Sequence, residues 1–329
     1  MRRCALRPLL TGAAVAAGLL AGIPAAASAQ ARAAATIGCN DISALNAAIS
    51  AANAGTGPPV IVLAANCVYT ISVPVGSSTF GPVGLPQVTR TVMLIGQHTT
   101  IRHADNGALF RIAAVSGTAA RLTVQGITAS GGLVSGSGGC YAATAGAALV
   151  LRNSAVTDCT AFANGGGIIV NLGATVTIYG SILRGNTGGN GGAVYADELG
   201  AIGISSSLLS GNKAVLGGAI FTGGRGLTDI ASTITGNAAS QEGGGIYDSA
   251  SPMVLGGTRL QFNTAGTKGG AISNYGAGIL RNTVIAGNRA PLGGGIWQGG
   301  GSIVPILSLI AGNVPNNCRP IGSVPGCYT

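Results

Sequence analysis

The sequence predicts an all-β fold, a single-stranded parallel β-helix with an N-terminal capping helix, and three observations carry that expectation. Of 329 residues, 58 are Gly and 13 are Pro, yet 47% are hydrophobic and only 8% charged. That balance is the reverse of a disordered chain. A Gly-Gly-small-aliphatic motif recurs at Gly166-Gly167-Ile168, Gly191-Gly192-Ala193-Val194, Gly217-Gly218-Ala219-Ile220, Gly243-Gly244-Gly245-Ile246, Gly269-Gly270-Ala271-Ile272 and Gly293-Gly294-Gly295-Ile296. Its aliphatic residue steps by 26, 26, 26, 26 and 24 residues. Asn186, Asn212, Asn237, Asn263, Asn288 and Asn313 keep the same step, and Ser181, Ser207, Ser232, Thr258, Thr283 and Ser308 stand five residues before them. Three markers at one period define a repeat. Between the markers, apolar stripes alternate with period two, too short and too broken by Gly for helices.

A unit of this length that is mostly strand cannot bury its own face. Stacked parallel turns about 4.8 Å apart can. Like residues then form ladders: aliphatics inside, and Asn at a turn, where its amide bonds the turns above and below and its backbone takes the left-handed conformation. Crossover bias favours the right-handed winding.

The first 29 residues read as a secretory leader. Arg2, Arg3 and Arg7 precede an apolar stretch over 8–27, and Ala27-Ser28-Ala29 offers a cleavage site. Removing the leader leaves 14 Lys and Arg against 8 Asp and Glu, a net charge of +6. Residues 30–106 hold the cap and first turns. There, residues 41–54 form an amphipathic pattern with Ile42, Leu45, Ile49 and Ala52 on one face and Asn40 or Asp41 as cap. Residues 107–315 are the repeats, giving nine or ten turns in all. Residues 316–329 form a terminal cap. Six cysteines remain, and in an oxidising compartment the sequence-local pairs are Cys39–Cys67, Cys140–Cys159 and Cys318–Cys327, out of fifteen possible pairings. No C-x-x-C occurs and the only histidines are His98 and His103, so a zinc site is not expected. Both histidines read as exposed.

The GGxI…S/T…GN repeat resembles the right-handed parallel β-helix repeats of bacterial exported proteins, which share a fold with pectate lyases. It is similar to that of chlamydial polymorphic outer-membrane proteins. The resemblance spans roughly residues 37–315. Cys39, the run Asp41-Ile42-Ser43-Ala44-Leu45-Asn46-Ala47-Ala48-Ile49, Cys67-Val68-Tyr69-Thr70 and Gly84-Leu85-Pro86 resemble the opening module of secreted β-helix proteins. The stretch Ile95-Gly96-Gln97-His98-Thr99-Thr100-Ile101 departs from the Gly-Asn-Gly-Ala-Thr-Ile usual there. The resemblance implies fold strongly and function weakly. In pectate lyases of this fold, acids on neighbouring turns hold Ca²⁺ and an Arg or Lys acts as base.

Eight carboxylates remain for chemistry, with no Asp-Asp pair and no glycosidase motif. Asp197, Glu198, Arg225 and Asp248 fall at near-equivalent positions on three successive turns. They are the candidate catalytic set, able to hold Ca²⁺ or poise the Arg; the plainer reading is an ion-pair ladder on a solvated loop. Glu242 and Lys268, one repeat apart, should pair across turns. Asp229 falls in a column otherwise filled by Leu151, Ile178, Ile204, Leu255, Leu280 and Pro305. The cost of a buried carboxylate favours a bulge that turns Asp229 outward and Ile230 inward. Asp158 suits a turn. The residue after each GGxI aliphatic gives Tyr195, Phe221, Tyr247, Ser273 and Trp297, an outward aromatic column. Tyr195, Phe221, Tyr247 and Trp297 are candidate ligand contacts for sugars or partner side chains, or a ladder that only stabilises the stack.

The expected function is a secreted, non-catalytic surface or interaction protein, adhesin-like, meeting an extracellular polysaccharide or a surface protein. The alternative is a polysaccharide lyase or glycoside hydrolase; a structural envelope component is a third reading. No cofactor is expected, Ca²⁺ only under the alternative. The charge is spread along the turns, which does not suit nucleic acid. No membrane span is expected after leader removal, and no sorting motif or apolar anchor follows the repeats, so the protein reads as released.

Overall fold

The computed structural model describes residues 34–327, which belong to one compact unit. The proposed leader lies outside the described residues. Of the described residues 51% are strand and 4% helix, wound into a parallel β-solenoid of about 11 turns. The sequence suggested nine or ten. The first turns are less regular than the 26-residue repeat, and their two longest strands, Thr91–His103 and Arg121–Ser130, each bend through a corner.

A middle turn shows the plan. Ala201–Ser205 runs straight, and Leu208–Ser210 follows after a corner. After a second corner come Lys213–Leu216, a Gly-Gly turn and then Ile220–Thr222. Each run pairs in parallel with the same run one repeat away, so Val176, Ile202, Leu227 and Met253 stand in one file. Alternation sends Ile178, Leu183, Leu209, Ile234, Ile246 and Ile272 inward, where all are fully buried. A continuous apolar core results.

The two corners carry the polar ladders. Asn186, Asn212, Asn237, Asn263 and Asn288 are fully buried. Each Nδ2 donates to the Oδ1 of the next asparagine at 2.9–3.0 Å. The left-handed conformation expected at these asparagines falls instead on the residue before them. Gly185, Gly211, Gly236, Gly287 and Gly312 have φ of 63–68°, and Phe262 and Asp158 take the same conformation in that file. Glycine adopts it without a Cβ clash, and the asparagine amide that follows is buried. Asp158 thus has the turn role read from the sequence.

Asp229 contradicts its expectation: it points inward and is fully buried, while Ile230 is 53% exposed. The register Ile204–Asp229–Leu255 runs through without a bulge. A bulge would disrupt the ladder with both neighbouring turns. A buried carboxyl that accepts from Thr258 Oγ1 at 3.1 Å is the lesser cost. Burial pushes it up to about 6, against weaker opposing bonds from Ser232, Thr258 and the Ile230 backbone.

The helix Ile42–Ala54 closes the N-terminal end with Leu45, Ile49 and Ala52 buried. Asp41 caps it, its Oδ1 accepting from Ala44 N at 2.8 Å. Asn40 binds Thr70 N instead. All three expected disulfides are present, Cys39–Cys67, Cys140–Cys159 and Cys318–Cys327. At the other end, Cys318–Arg319 adds a strand beside Ile296 and Trp297, and Val324 and Cys327 join the core. His98 is exposed as expected, but His103 is buried, its ring 4.0 Å from that of Phe110.

Candidate functional site

The outward file of the run after the Gly-Gly turn is the most distinctive surface. Its register is Ala114, Ala142, Ile169, Tyr195, Phe221, Tyr247, Ser273, Trp297 and Arg319. The hairpin formed by Gly76–Ser78 and Gly81–Val83 covers its first members. Val83 and Phe80 pack on Ala114, Ala142 and Ile169, and Tyr195 borders that patch. Arg111 is enclosed beside the hairpin, Nη2 donating to Phe80 O. Burial draws its guanidinium down to about 10.

Beyond the hairpin the aromatic rings are half-buried. Tyr195 and Phe221 stack at 4.8 Å and 22°, and Phe221 and Tyr247 at 5.1 Å and 18°. Rings lying side by side in one plane cannot come so close, so these are tilted, face toward face, with their rims outward. The column breaks at Ser273, and Tyr275, two residues on, fills the gap with its ring 5.6 Å from Tyr247. Tyr275 Oη and Ser273 Oγ both donate to Glu242 Oε2 at 2.8 Å. Glu242 Oε1 meets Lys268 Nζ at 3.3 Å, the expected cross-turn pair. That Nζ also lies 4.9 Å from the centre of the Trp297 ring. Tyr275 and the Glu242–Lys268 bridge therefore belong to the aromatic strip, which sequence reasoning had not joined to it. The signal was the single gap at Ser273 in an otherwise aromatic file.

The phenols are held protonated. Burial, then the charges on Tyr275, Glu242 and Asp248, push Tyr247 up to about 12. Burial followed by Asp197 and Glu198 raises Tyr195, and burial followed by Glu242 raises Tyr275. At neutral pH the strip offers hydroxyl donors on an apolar rim.

The candidate catalytic set is divided between the interior and the surface. Asp197 closes its own turn: Oδ1 accepts from Leu199 N and Gly200 N at 3.0 and 2.9 Å, and Oδ2 from Leu172 N at 3.1 Å. Asp248 faces the interior, in file with Ala196, Thr222, Asn274 and Gln298. Its Oδ1 accepts from Ser251 N and Oγ at 2.8 and 2.7 Å, and burial raises its carboxyl above the usual range. Glu198 and Arg225 are exposed. Among the described residues no ion pair links the four, and no three His, Cys, Asp or Glu side chains gather as a metal site.

These features define a disulfide-bonded parallel β-solenoid. No family model, curated protein or solved structure matches the chain.

Proposed function

We propose that this chain is a secreted, non-catalytic interaction protein, adhesin-like in kind, whose aromatic strip docks an extracellular protein. The observation that carries the reading is the strip from Tyr195 to Trp297, with Tyr275 filling its one gap. Tyrosine and tryptophan rims supply large, rigid contact area at low entropic cost, the chemistry of protein-binding surfaces. A sugar ring needs a free aromatic face, and here the faces are turned to one another. That favours a protein over a polysaccharide. Three disulfides support an oxidising, extracellular setting. The resemblance to pectate-lyase-like bacterial exported repeats fits the same setting.

The test is a binding screen of purified extracellular proteins, and of acidic and neutral polysaccharides with and without Ca²⁺. The expected result is a protein ligand whose affinity falls about tenfold or more in Tyr247→Ala or Trp297→Ala, with the thermal melt used to confirm folding. Polysaccharide turnover lost in Arg225→Ala would instead establish the lyase or hydrolase alternative. Binding indifferent to both aromatic substitutions would reduce the strip to a structural ladder.

A further inference from the structure

The outward file that carries the aromatic strip starts three turns before its first ring. Ala114, Ala142 and Ile169 are its first members, and they are buried because the hairpin of residues 76–83 lies over them. Val83 and Phe80 fill that seat, and the small cluster they form stands apart from the main core. A cover seated on a satellite cluster can lift away while the interior stays closed. The hairpin is fastened along one side. Arg111 N donates to Pro82 O at 3.2 Å, Gly84 N to Arg111 O at 2.7 Å and Leu85 N to Ile112 O at 3.1 Å. Its two strands form a sheet of their own, and residues 72–75, which lead into it, are exposed. The tip bonds mainly to itself: Ser78 Oγ accepts from Phe80 N at 3.3 Å and donates to Gly81 O at 3.1 Å. Among the described residues, its side-chain tie to the solenoid is the bond from Arg111 Nη2 to Phe80 O. A two-stranded hairpin is marginal by itself.

Arg111 works against the closed position. It is 0% exposed, its Nε and Nη1 have no hydrogen-bond partner, and among the described residues no carboxylate pairs with it. It lies two residues before Ala113, where the next turns place Gly139 and Gly166. Burying a guanidinium with most of its donors unmet is strongly unfavourable. Swinging the hairpin away about Gly84 returns those donors to water, whereas closing it buries Phe80 and Val83. The two effects oppose each other on one small element.

We propose that the hairpin is a displaceable cover, which opens locally and exposes Ala114, Ala142 and Ile169 in line with Tyr195, together with the Arg111 guanidinium. This regulation rests on the reading of the strip as a docking surface, and the cover sets how far that surface extends. Closed, the surface starts at Tyr195. Open, it continues over the turns of Ile169, Ala142 and Ala114 and ends beside a cation.

Hydrogen exchange followed by NMR on the purified chain tests this without any ligand. The amide of residue 111, bonded to Pro82 O, should exchange at least about tenfold faster than that of Ile220, bonded to Gly245 O in the middle of the stack. Arg111→Met keeps the bulk and removes the buried charge, so it should slow exchange at residue 111 by about tenfold. Phe80→Ala loosens the seat and should speed it by about as much. In the unaltered chain, phenylglyoxal should modify Arg111 while the Ile220 amide stays protected. Residue 111 exchanging only as the core does, Arg111 reacting only when the chain unfolds, or Arg111→Met leaving exchange unchanged or faster would each overturn the proposal. Failure of the strip to bind any protein, with the cover still opening, would remove the docking reading and leave the cover standing.

Discussion

The two polar corners of each turn do one job with different chemistry. At the first, a hydroxyl accepts the backbone N–H of the previous turn, as Ser207 does from Ser181 at 3.1 Å, and spends its own proton on Ser205 O within its turn. At the second, an amide both gives and takes. Asn237 Oδ1 accepts from Asn212 N and Nδ2, while its Nδ2 donates to Leu209 O and to Asn263 Oδ1. The hydroxyl joins two turns and the amide three. That difference explains their tolerance. The amide file is unbroken from Asn186 to Asn313, and where it lapses at Cys159 a disulfide to Cys140 stands in its place. The hydroxyl file mixes Ser and Thr, and it absorbs the intrusion of Asp229, to which Thr258 turns its hydroxyl.

The largest effect should come from breaking the amide file in its middle. Asn237→Ala removes four hydrogen bonds and leaves buried partners on two neighbouring turns, so it should cost about 4 kcal/mol at roughly 1 kcal/mol per bond. Ser207→Ala removes two and should cost about half as much. Urea unfolding of both variants gives the ratio. Equal losses would mean that the corners are equivalent and that the amide file has no special role.

Asp229 sharpens the comparison through pH. Its folded carboxyl is raised from 3.8 to about 6 by burial. The stability linked to its proton is therefore fully present below the unfolded value and lost as pH rises through about 6. Asp229→Asn keeps an acceptor for Thr258 and carries no charge. It should be more stable than the parent by about 2 to 3 kcal/mol at pH 8, following the usual conversion of a pKa shift, with the gap closing toward pH 4. Asp248, raised in the same direction by burial, leaves a residual slope of the same sign in the variant. Melting curves across that range check it, and a gap that does not change with pH would show that Asp229 is not the titrating group.

Much of this was written in the repeat. When like stands on like, a period in sequence is a period in space, so the files of Asn, Ser/Thr and aromatic residues could be read directly, as could the helix, with its cap narrowed to Asn40 or Asp41. What escaped lay where one residue departs from its file. Asp229 was turned outward on the cost of a charge, because a single sequence does not show that Thr258 sets its hydroxyl beside the buried carboxyl. Ser273 registered as a gap, but the ring that fills it comes from Tyr275 beyond the strand. Asp248 could have been placed: Tyr247 faces out, so its neighbour faces in. The candidate catalytic set ignored that alternation and grouped residues by their distance from the motif.

The smallest and cleanest test lies in the residue before each polar one, which takes the left-handed conformation at both corners. Ahead of the amide it is mostly glycine. Ahead of the hydroxyl it is Asn153, Gly180, Ser206, Ala231, Gly257, Asn282 and Leu307. A Cβ built at Gly236 meets nothing within 4 Å, so Gly236→Ala changes backbone strain and little else. Ala231, with φ of 58°, already carries that strain. Gly236→Ala should destabilise and Ala231→Gly stabilise, each by under about 1 kcal/mol, because the strain of a left-handed alanine slightly outweighs the extra chain entropy of glycine. Opposite signs in a paired thermal melt would show that the corners share one backbone geometry and differ only in the side chain that follows. If both substitutions destabilise, glycine is required ahead of the amide by the ladder itself, and the corners differ in backbone as well as in chemistry.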